Sequence, residues 1–503
     1  MVLPGRLPDA RHHLCQVIEA HSSLHCIPIP VSTTLHSARH HWQRLFCRWH
    51  AGLRLLSCRQ TSLWRERVLE EIVELALRRG AQEAEAFYSE VEETPVLFEA
   101  NRLKQLNARQ VSGVALRVIA GGRLGAASSS RPGDVEGLVE MALESAPYGP
   151  EARFHFPVTD SYPAVETYDP QVESFPLDDM VHLGQSLIDA VRREEPELVC
   201  DASVRKAVHR VVGLNSNGGR FEYRRTVFSL GVHGTLVRGT DMLFVGDGQA
   251  SCQAIRDGAT VVQDVVRQIL WARRTAVVRT GEMPVVFTAQ GVAGALVGPL
   301  ATAFSGRLAH QGQSPLAGRL GERLYDQRFS LWDDPVLPYR TGSRMCDDEG
   351  VASRRLPLVD GGVVAHFLYD LQTAGLAGTE PTGHGSRGPG GQVGISPSCL
   401  VFAEGELDLE DLVREVRDGL VVEQLMGAGQ GNVLGGDFSG NVLLGYKIEG
   451  GEVVGRVKDT VVAGNVHRLL AEALLALGRG RWVGGSLYVP PIAFARLSVA
   501  AKG

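Results

Sequence analysis

The sequence predicts an α+β fold. It reads as an N-terminal α/β domain of antiparallel strands with flanking helices, then a C-terminal, mostly antiparallel β domain with a few helices. Three observations carry this reading. Helix-like and strand-like segments come in blocks, not in the regular alternation that builds a parallel sheet. Strand-like runs are joined by short glycine turns such as Gly121-Gly122 and Gly450-Gly451, which only antiparallel neighbours can use. From Val199 to Val245 apolar and polar residues alternate, as in Phe221, Tyr223, Thr226 and Phe228, which predicts a meander of half-buried strands.

Residues 62–79 predict the first helix. Leu69, Ile72, Val73, Leu75 and Ala76 make an apolar stripe, Glu70, Glu71 and Glu74 face away, and Gly80 suits the stop. Strands are expected at Glu85–Val91, Val96–Glu99 and Val111–Ile119, with a hairpin through Gly121-Gly122 into Leu124–Ser128. A second helix follows Pro132, with Asp134 near its start, and Met180–Arg193 and Asp257–Arg274 predict two more. In the second half, Pro284–Thr288 reads as a strand and Gly291–Phe304 as one helix of small residues. Val351–Leu358 and Val363–Tyr369 predict a hairpin around Val359-Asp360-Gly361-Gly362. Leu407–Val416 predicts a helix with acids in its first turn, favoured by the helix dipole. Leu443–Ile448 and Glu452–Val457 predict a hairpin, Val466–Leu477 a helix and Leu487–Val499 a closing strand.

The chain's 503 residues suffice for two or three domains, with expected boundaries at 1–61, 62–283 and 284–503. Residues 1–60 hold 8 of the 16 histidines and 4 of the 8 cysteines, with seven arginines against Asp9 and Glu19. Cys15, Cys26, Cys47 and Cys58 have no zinc-site spacing, so this tract reads as an extension outside the fold, disordered or produced by a misplaced start. A net charge of -6 offers no general attraction for nucleic acid. No run is long and apolar enough to span a membrane, no secretory signal is visible and no C-x-x-C occurs, so the expected location is cytoplasmic.

Five patterns in the sequence bear on chemistry. Two histidines at helical spacing around a glutamate would put two metal ligands and a base on one helix face. From residue 62 onward no two histidines lie within ten residues of each other, leaving only a scattered set such as Cys346, His366 and His384. Asp347-Asp348-Glu349 suits either a divalent cation or a turn whose aspartates cap backbone amides, and the turn is preferred. Gly383–Gly388 fits G-x-G-x-x-G, but Pro389-Gly390-Gly391 forbids the helix a dinucleotide site needs, so a flexible loop is expected. Gly427–Gly436 lacks the lysine of a phosphate loop. Ser439 in Asp437-Phe438-Ser439-Gly440 is a possible nucleophile, but the segment reads as a turn leading into a strand, and nothing marks a cysteine as activated.

Six pieces together resemble the TldD/PmbA family, a two-subunit intracellular metalloprotease system, over residues 62–503. They are Gly80-Ala81-Gln82-Glu83-Ala84-Glu85, Gly113–Val118, Asp348-Glu349-Gly350, Gly435–Ser439, Ile448–Glu452 and Ala463-Gly464-Asn465-Val466. The Asp-Phe-Ser and Ala-Gly-Asn pieces resemble the PmbA (TldE) branch. The resemblance implies a heterodimer enclosing a cavity for unfolded, extended or leader peptides. It implies that zinc is bound in the TldD-like subunit, by two histidines of a His-Glu-x-x-x-His helix and a cysteine near the C-terminus. The matching helix here is Gln290-Gly291-Val292-Ala293-Gly294-Ala295, and the matching C-terminal stretch, Arg481–Pro491, has no cysteine.

The implied role is therefore a TldE-like subunit with no catalytic residue and no metal ligand of its own. Asp348, Glu349, Gly350, Asp437, Ser439, Gly464 and Asn465 are its candidate signature or peptide-cavity positions. A sheet edge lining the cavity would hold a peptide by backbone pairing. The alternatives are a stand-alone peptidase with an unrecognised metal or thiol site and a peptide-binding module. The family's association with DNA gyrase implies no direct nucleic-acid contact by this chain.

Overall fold

The computed structural model describes residues 65–501 except 389, 390 and 430; the expected extension 1–61 lies outside the described residues. The first sheet, in the order β4-β3-β1-β5-β6-β7, is antiparallel throughout. Its strands are β1 (Glu83–Glu99), β2 (Arg102–Gln105, a short arm beside the end of β1), β3 (Arg109–Ala120), β4 (Arg123–Ser129), β5 (Val199–Asn215), β6 (Arg220–Arg238) and β7 (Asp241–Ser251). The β3–β4 turn is Gly121-Gly122, both at positive φ (59° and 73°), the conformation a two-residue hairpin needs. β1 is one strand where two were expected. Pro95 does not break it because it faces the gap between the pairings with β3 and β2, while β5 pairs alongside without interruption.

Helices cover one face of this sheet. Leu69, Ile72, Val73 and Ala76 of the helix over 65–78 and Leu138, Val139 and Ala142 of Val135–Ser145 share a core with β1 and β3. Asp134 caps the latter helix through the amide of Gly137. Helices Leu177–Glu194 and Ala259–Trp271 bury Leu187, Ile188, Val265 and Ile269 in a second core. That core also takes in Val286, Val421, Leu444 and Tyr446 from the C-terminal half.

The later strands are β8 (Gly281–Phe287), β9 (Leu331–Asp333), β10 (Leu356–Asp360), β11 (Val363–Val364), β12 (Gly385–Arg387), β13 (Val393–Ile395), β14 (Leu400–Phe402) and β15 (Gly419–Met426). They continue with β16 (Asp437–Glu449), β17 (Glu452–Arg456), β18 (Thr460–Asn465), β19 (Leu474–Leu477), β20 (Arg481–Val483), β21 (Leu487–Val489) and β22 (Ile492–Ala501). The order β15-β8-β22-β18-β16 closes on itself through a β15–β16 pairing, so these five strands have no free edge along the ring. β8 and β15 run parallel, which brings Thr288 and Glu423 side by side just past their paired ends. A second sheet follows β11-β10-β9-β14-β21-β20, and β12 and β13 form a hairpin of their own.

Several expectations need correction. The helix over 291–304 is two, Ala289–Ala295 and Val297–Ala303, because Pro299 has no N–H for the carbonyl of Ala295 and its ring crowds that carbonyl. Of Val466–Leu477 only Val466–Arg468 is α-helical; a wide turn follows, and Leu474–Leu477 is drawn into pairing with β22. The closing strand is two, in different sheets, divided at Pro490-Pro491. The hairpin near 360 turns at Gly361-Gly362 with shorter strands than expected, and residues 351–355 are not strand. The segment expected as a flexible loop around Gly385 is β12. Asp437–Ser439 lies inside β16, where a turn was expected.

Candidate functional site

The two segments that the resemblance matches to the zinc ligands meet in space. Helix Ala289–Ala295 starts straight after β8, capped by Thr288, whose hydroxyl oxygen accepts from Gly291 N (3.2 Å) and whose O–H donates to Glu423 Oε1 (3.2 Å). Gln290 Nε2 donates to Asp247 Oδ1 at 2.5 Å. From β20, Arg481 donates Nη1 to Asp247 Oδ2 (2.9 Å) and Asp264 Oδ2 (2.7 Å), and Nη2 to Asp247 Oδ1 (3.1 Å). Beside them Arg267 holds Glu423 with both terminal nitrogens, at 3.0 and 3.2 Å. Asp264, Arg267, Thr288, Glu423 and Arg481 line a cavity of about 420 Å3.

The electrostatics follow from this pairing. Burial works against the charge on Asp247, but the Arg481 guanidinium holds its carboxyl below the usual aspartate range. Burial pushes Asp264 up, with Arg481 opposing and Asp247 adding to the rise. The guanidinium of Arg481 thus supplies positive charge to the buried Asp247 and the half-buried Asp264. Gln290, Arg481 and Thr288 are not zinc ligands, and the carboxylates beside them are each taken up by an arginine, Asp247 and Asp264 by Arg481 and Glu423 by Arg267. Among the described residues no group of three or more His, Cys, Asp or Glu is arranged to hold a metal ion.

The acids Asp347, Asp348 and Glu349 do not converge on a common point. Asp347 Oδ1 accepts from Glu349 N and Val351 N, both at 2.9 Å, and its Oδ2 accepts from Gly385 N at 2.8 Å. Asp348 Oδ2 accepts from Arg387 N at 2.8 Å. Glu349 turns inward: Oε1 receives Arg117 Nη1 at 2.6 Å and Oε2 receives Leu371 N at 2.8 Å. Arg117 Nε also donates to Glu85 Oε2 at 2.8 Å, and Arg387 reaches the same carboxylate. This cluster joins β1 and β3 to the turn at 347–350 and the β12–β13 hairpin. Burial and the charge of Glu349 push Asp347 up to about 7, against the pull of Arg344 and the backbone amides. Gly350, at φ 78°, lies against Phe221, and its carbonyl accepts from Thr159 Oγ1 at 2.7 Å.

Asp437 and Ser439 lie on the exposed side of β16, and Gly464 and Asn465 on the neighbouring β18, with Asp437 paired to Asn465. Asn465 is fully engaged: Nδ2 donates to Gly435 O and Asp437 Oδ1, both at 2.8 Å, and Oδ1 caps the amides of His467 and Arg468. Gly464, Asn465, Arg468, Glu472 and Arg496 line a cavity of about 350 Å3. His467 bonds Tyr325 (2.9 Å), and burial lowers its imidazole to about 4, with Asp437 opposing.

The scattered set Cys346, His366 and His384 is not brought together. His366 is exposed and bonds Pro357 O, whereas His384 is sealed between Asp333 Oδ2 (2.6 Å) and Thr382 Oγ1 (2.8 Å). Cys346 is buried, and its thiol is pushed up by that burial. Sequence reasoning met Glu85, Arg117 and Arg481 only inside segments of the family resemblance and gave them no role, and it missed Asp247 and Asp264. The available signal was charge inside apolar strand runs, as in Val114-Ala115-Leu116-Arg117-Val118, where a lone arginine requires a buried acid.

Known proteins agree with this architecture. Residues 84–146 match the family model described as PmbA/TldA metallopeptidase domain 1, and residues 280–501 match the PmbA/TldA metallopeptidase C-terminal domain. A metalloprotease of Methanothermobacter thermautotrophicus is 26% identical over 399 residues, 75% of this chain and 83% of its own length. A metalloprotease PmbA homolog of Haemophilus influenzae is 24% identical over 423 residues, 80% of this chain and 88% of its own length. The crystal structure of TldE from Thermococcus kodakarensis has the same fold, with a TM-score of 0.76 at 24% identity, covering 86% of this chain and 100% of that one.

Proposed function

We propose, from the premise that this chain belongs to the PmbA/TldD metallopeptidase family, that it is the TldE-like subunit of a two-subunit zinc peptidase. In this reading it pairs in the cytoplasm with a TldD-like subunit that carries the zinc. It supplies interface and chamber wall for unfolded or leader peptides and breaks no bond itself. The observation that carries the reading is the meeting of Gln290 and Arg481 on Asp247, because an arginine and an amide stand where the resemblance puts histidine and cysteine ligands. Asp348 and the Gly464–Asn465 segment, each beside a cavity, are the positions proposed to face peptide.

The test is reconstitution. This chain and a TldD-like subunit are purified separately, mixed, and assayed for cleavage of an unfolded peptide. Cleavage only by the mixture, abolished when the TldD-like motif is mutated, is the expected result. Chelator-sensitive cleavage by this chain alone would overturn the reading.

A further inference from the structure

β7 pairs with β6 only from Phe228 onward, so the first part of β6 has no strand on that side. The segment leading up to Tyr168 lies along this edge instead. Thr226 N donates to Thr167 O at 2.9 Å, and Thr167 Oγ1 donates to Arg224 O at 3.0 Å. Tyr339 joins from the second half of the chain. Its N–H donates to Glu166 O at 2.7 Å, its carbonyl accepts from Cys252 N at 3.0 Å, and its φ is 55°. Tyr168, Tyr223 and Tyr339 thereby line one cavity of about 560 Å3, together with Glu166, Glu222 and Arg224. That volume lies in the range of small-ligand sites.

The face of a tyrosine ring attracts a cation, and one wall of this cavity already does so. The Arg224 guanidinium lies 4.3 Å from the Tyr168 ring centroid, and Glu173 meets its charge at 2.9 Å. Tyr223 and Tyr339 have no such cation over their rings among the described residues. Glu166 and Glu222 are exposed, and among the described residues no Lys, Arg or His lies within ion-pair distance of either. The Tyr339 phenol is raised by lost hydration and then by the charges of Glu166 and Asp169. Among the described residues no three acids converge to hold a metal ion, so the negative charge is spread between aromatic faces, as an organic cation requires. A second cavity, of about 320 Å3, adjoins the first. It shares Val165, Glu166, Thr167 and Tyr223 with it and adds Pro163, Ala164 and Met345.

We propose that these adjoining cavities bind a small organic ammonium ion with an apolar body. The charged head lies against Tyr223 and Tyr339, with Glu166 and Glu222 as counter-charges, and the body fills the space beside Pro163 and Met345. An inorganic cation would leave that space empty, and an uncharged molecule would leave both carboxylates unused. The site shares only Tyr223 with the cavity beside Asp348, and it does not depend on the chain being a subunit or lacking zinc.

Calorimetric titration of the full chain with phenethylammonium, at physiological salt to screen exposed charges, tests this directly. It is run beside 2-phenylethanol, the uncharged counterpart, and methylammonium, the head without the body. Phenethylammonium binds at millimolar concentration or below, and each of the others binds about tenfold more weakly or not at all. Glu166→Gln and Tyr339→Asn each weaken phenethylammonium about threefold or more. Asparagine tolerates a positive φ, so the second variant removes the ring and keeps the backbone. No binding of phenethylammonium at millimolar concentration would overturn the proposal. So would the alcohol or methylammonium binding as tightly, or an unchanged affinity in either variant. The comparison of ligands needs no variant, so it decides the matter even if Tyr339→Asn fails to fold.

Discussion

The Glu85–Arg117–Glu349 cluster is sealed in the protein, whereas the Asp247–Arg481–Asp264 cluster opens on a cavity, with Arg481 29% exposed against 7% for Arg117. Both use arginine to hold two carboxylates. In the sealed one every charge serves to join the first sheet to the turn at 347–350, and water cannot replace a lost partner. In the open one the same chemistry occupies the place that the resemblance gives to a metal, and water can reach it. Sealing therefore predicts a larger energetic consequence, and openness predicts a site that evolution can refill with other side chains.

The largest expected effect is on the sealed cluster. Arg117→Ala leaves Glu349 in the interior without an arginine and Glu85 with Arg387 alone, and should cost about 3–5 kcal/mol, measured by urea unfolding. A cost no greater than that of Arg481→Ala would break the comparison.

The pH response of the same cluster comes next. Asp347 sits near 7 when folded and near ~3.9 when unfolded, so the folded state binds the extra proton. Its contribution to stability is full below about pH 4 and is lost as the pH rises through 7. Stability of the wild type minus that of Asp347→Asn should fall across this window, by at most about 1.4 kcal/mol per pH unit. The difference cancels His209 and His467, whose lowered values act in the opposite direction. A flat difference would mean that the charge at Asp347 is already compensated.

Arg481→Ala should be milder, about 1–2 kcal/mol, since water reaches the half-buried Asp264 and the buried Asp247 keeps the bond from Gln290. Asn465→Ala should be smallest, about 1 kcal/mol for a lost helix cap, with little effect on either cluster. A larger loss would show that the Asn465 bonds to Gly435 and Asp437 also hold the adjoining loop.

Local chemistry explains which parts of the molecule were readable beforehand. The helix at Val135–Ser145 announces itself by Asp134, and the β3–β4 hairpin by Gly121-Gly122, because caps and turns depend on neighbours in sequence. Leu474–Leu477 shows the opposite case. Its apolar run suits helix or strand, and the exposed flank of β22, nearly twenty residues later, decides. The ionic clusters were hidden for the same reason: Arg117 and Glu349 are 232 residues apart, and nothing in either segment names the other. The run at 347–349 was readable as a turn, since Asp347 caps local amides, but the inward rotation of Glu349 toward Arg117 was not.

The most direct test of the account is the zinc content of residues 62–503, purified without a partner and measured by elemental analysis, with the full chain alongside to report any metal carried by its histidine- and cysteine-rich first sixty residues. The account predicts no zinc in 62–503, and zinc only in the TldD-like subunit when the two are combined. About one tightly held zinc per chain of 62–503 would contradict it, and would mean that Arg481 and Gln290 do not stand in place of a metal site.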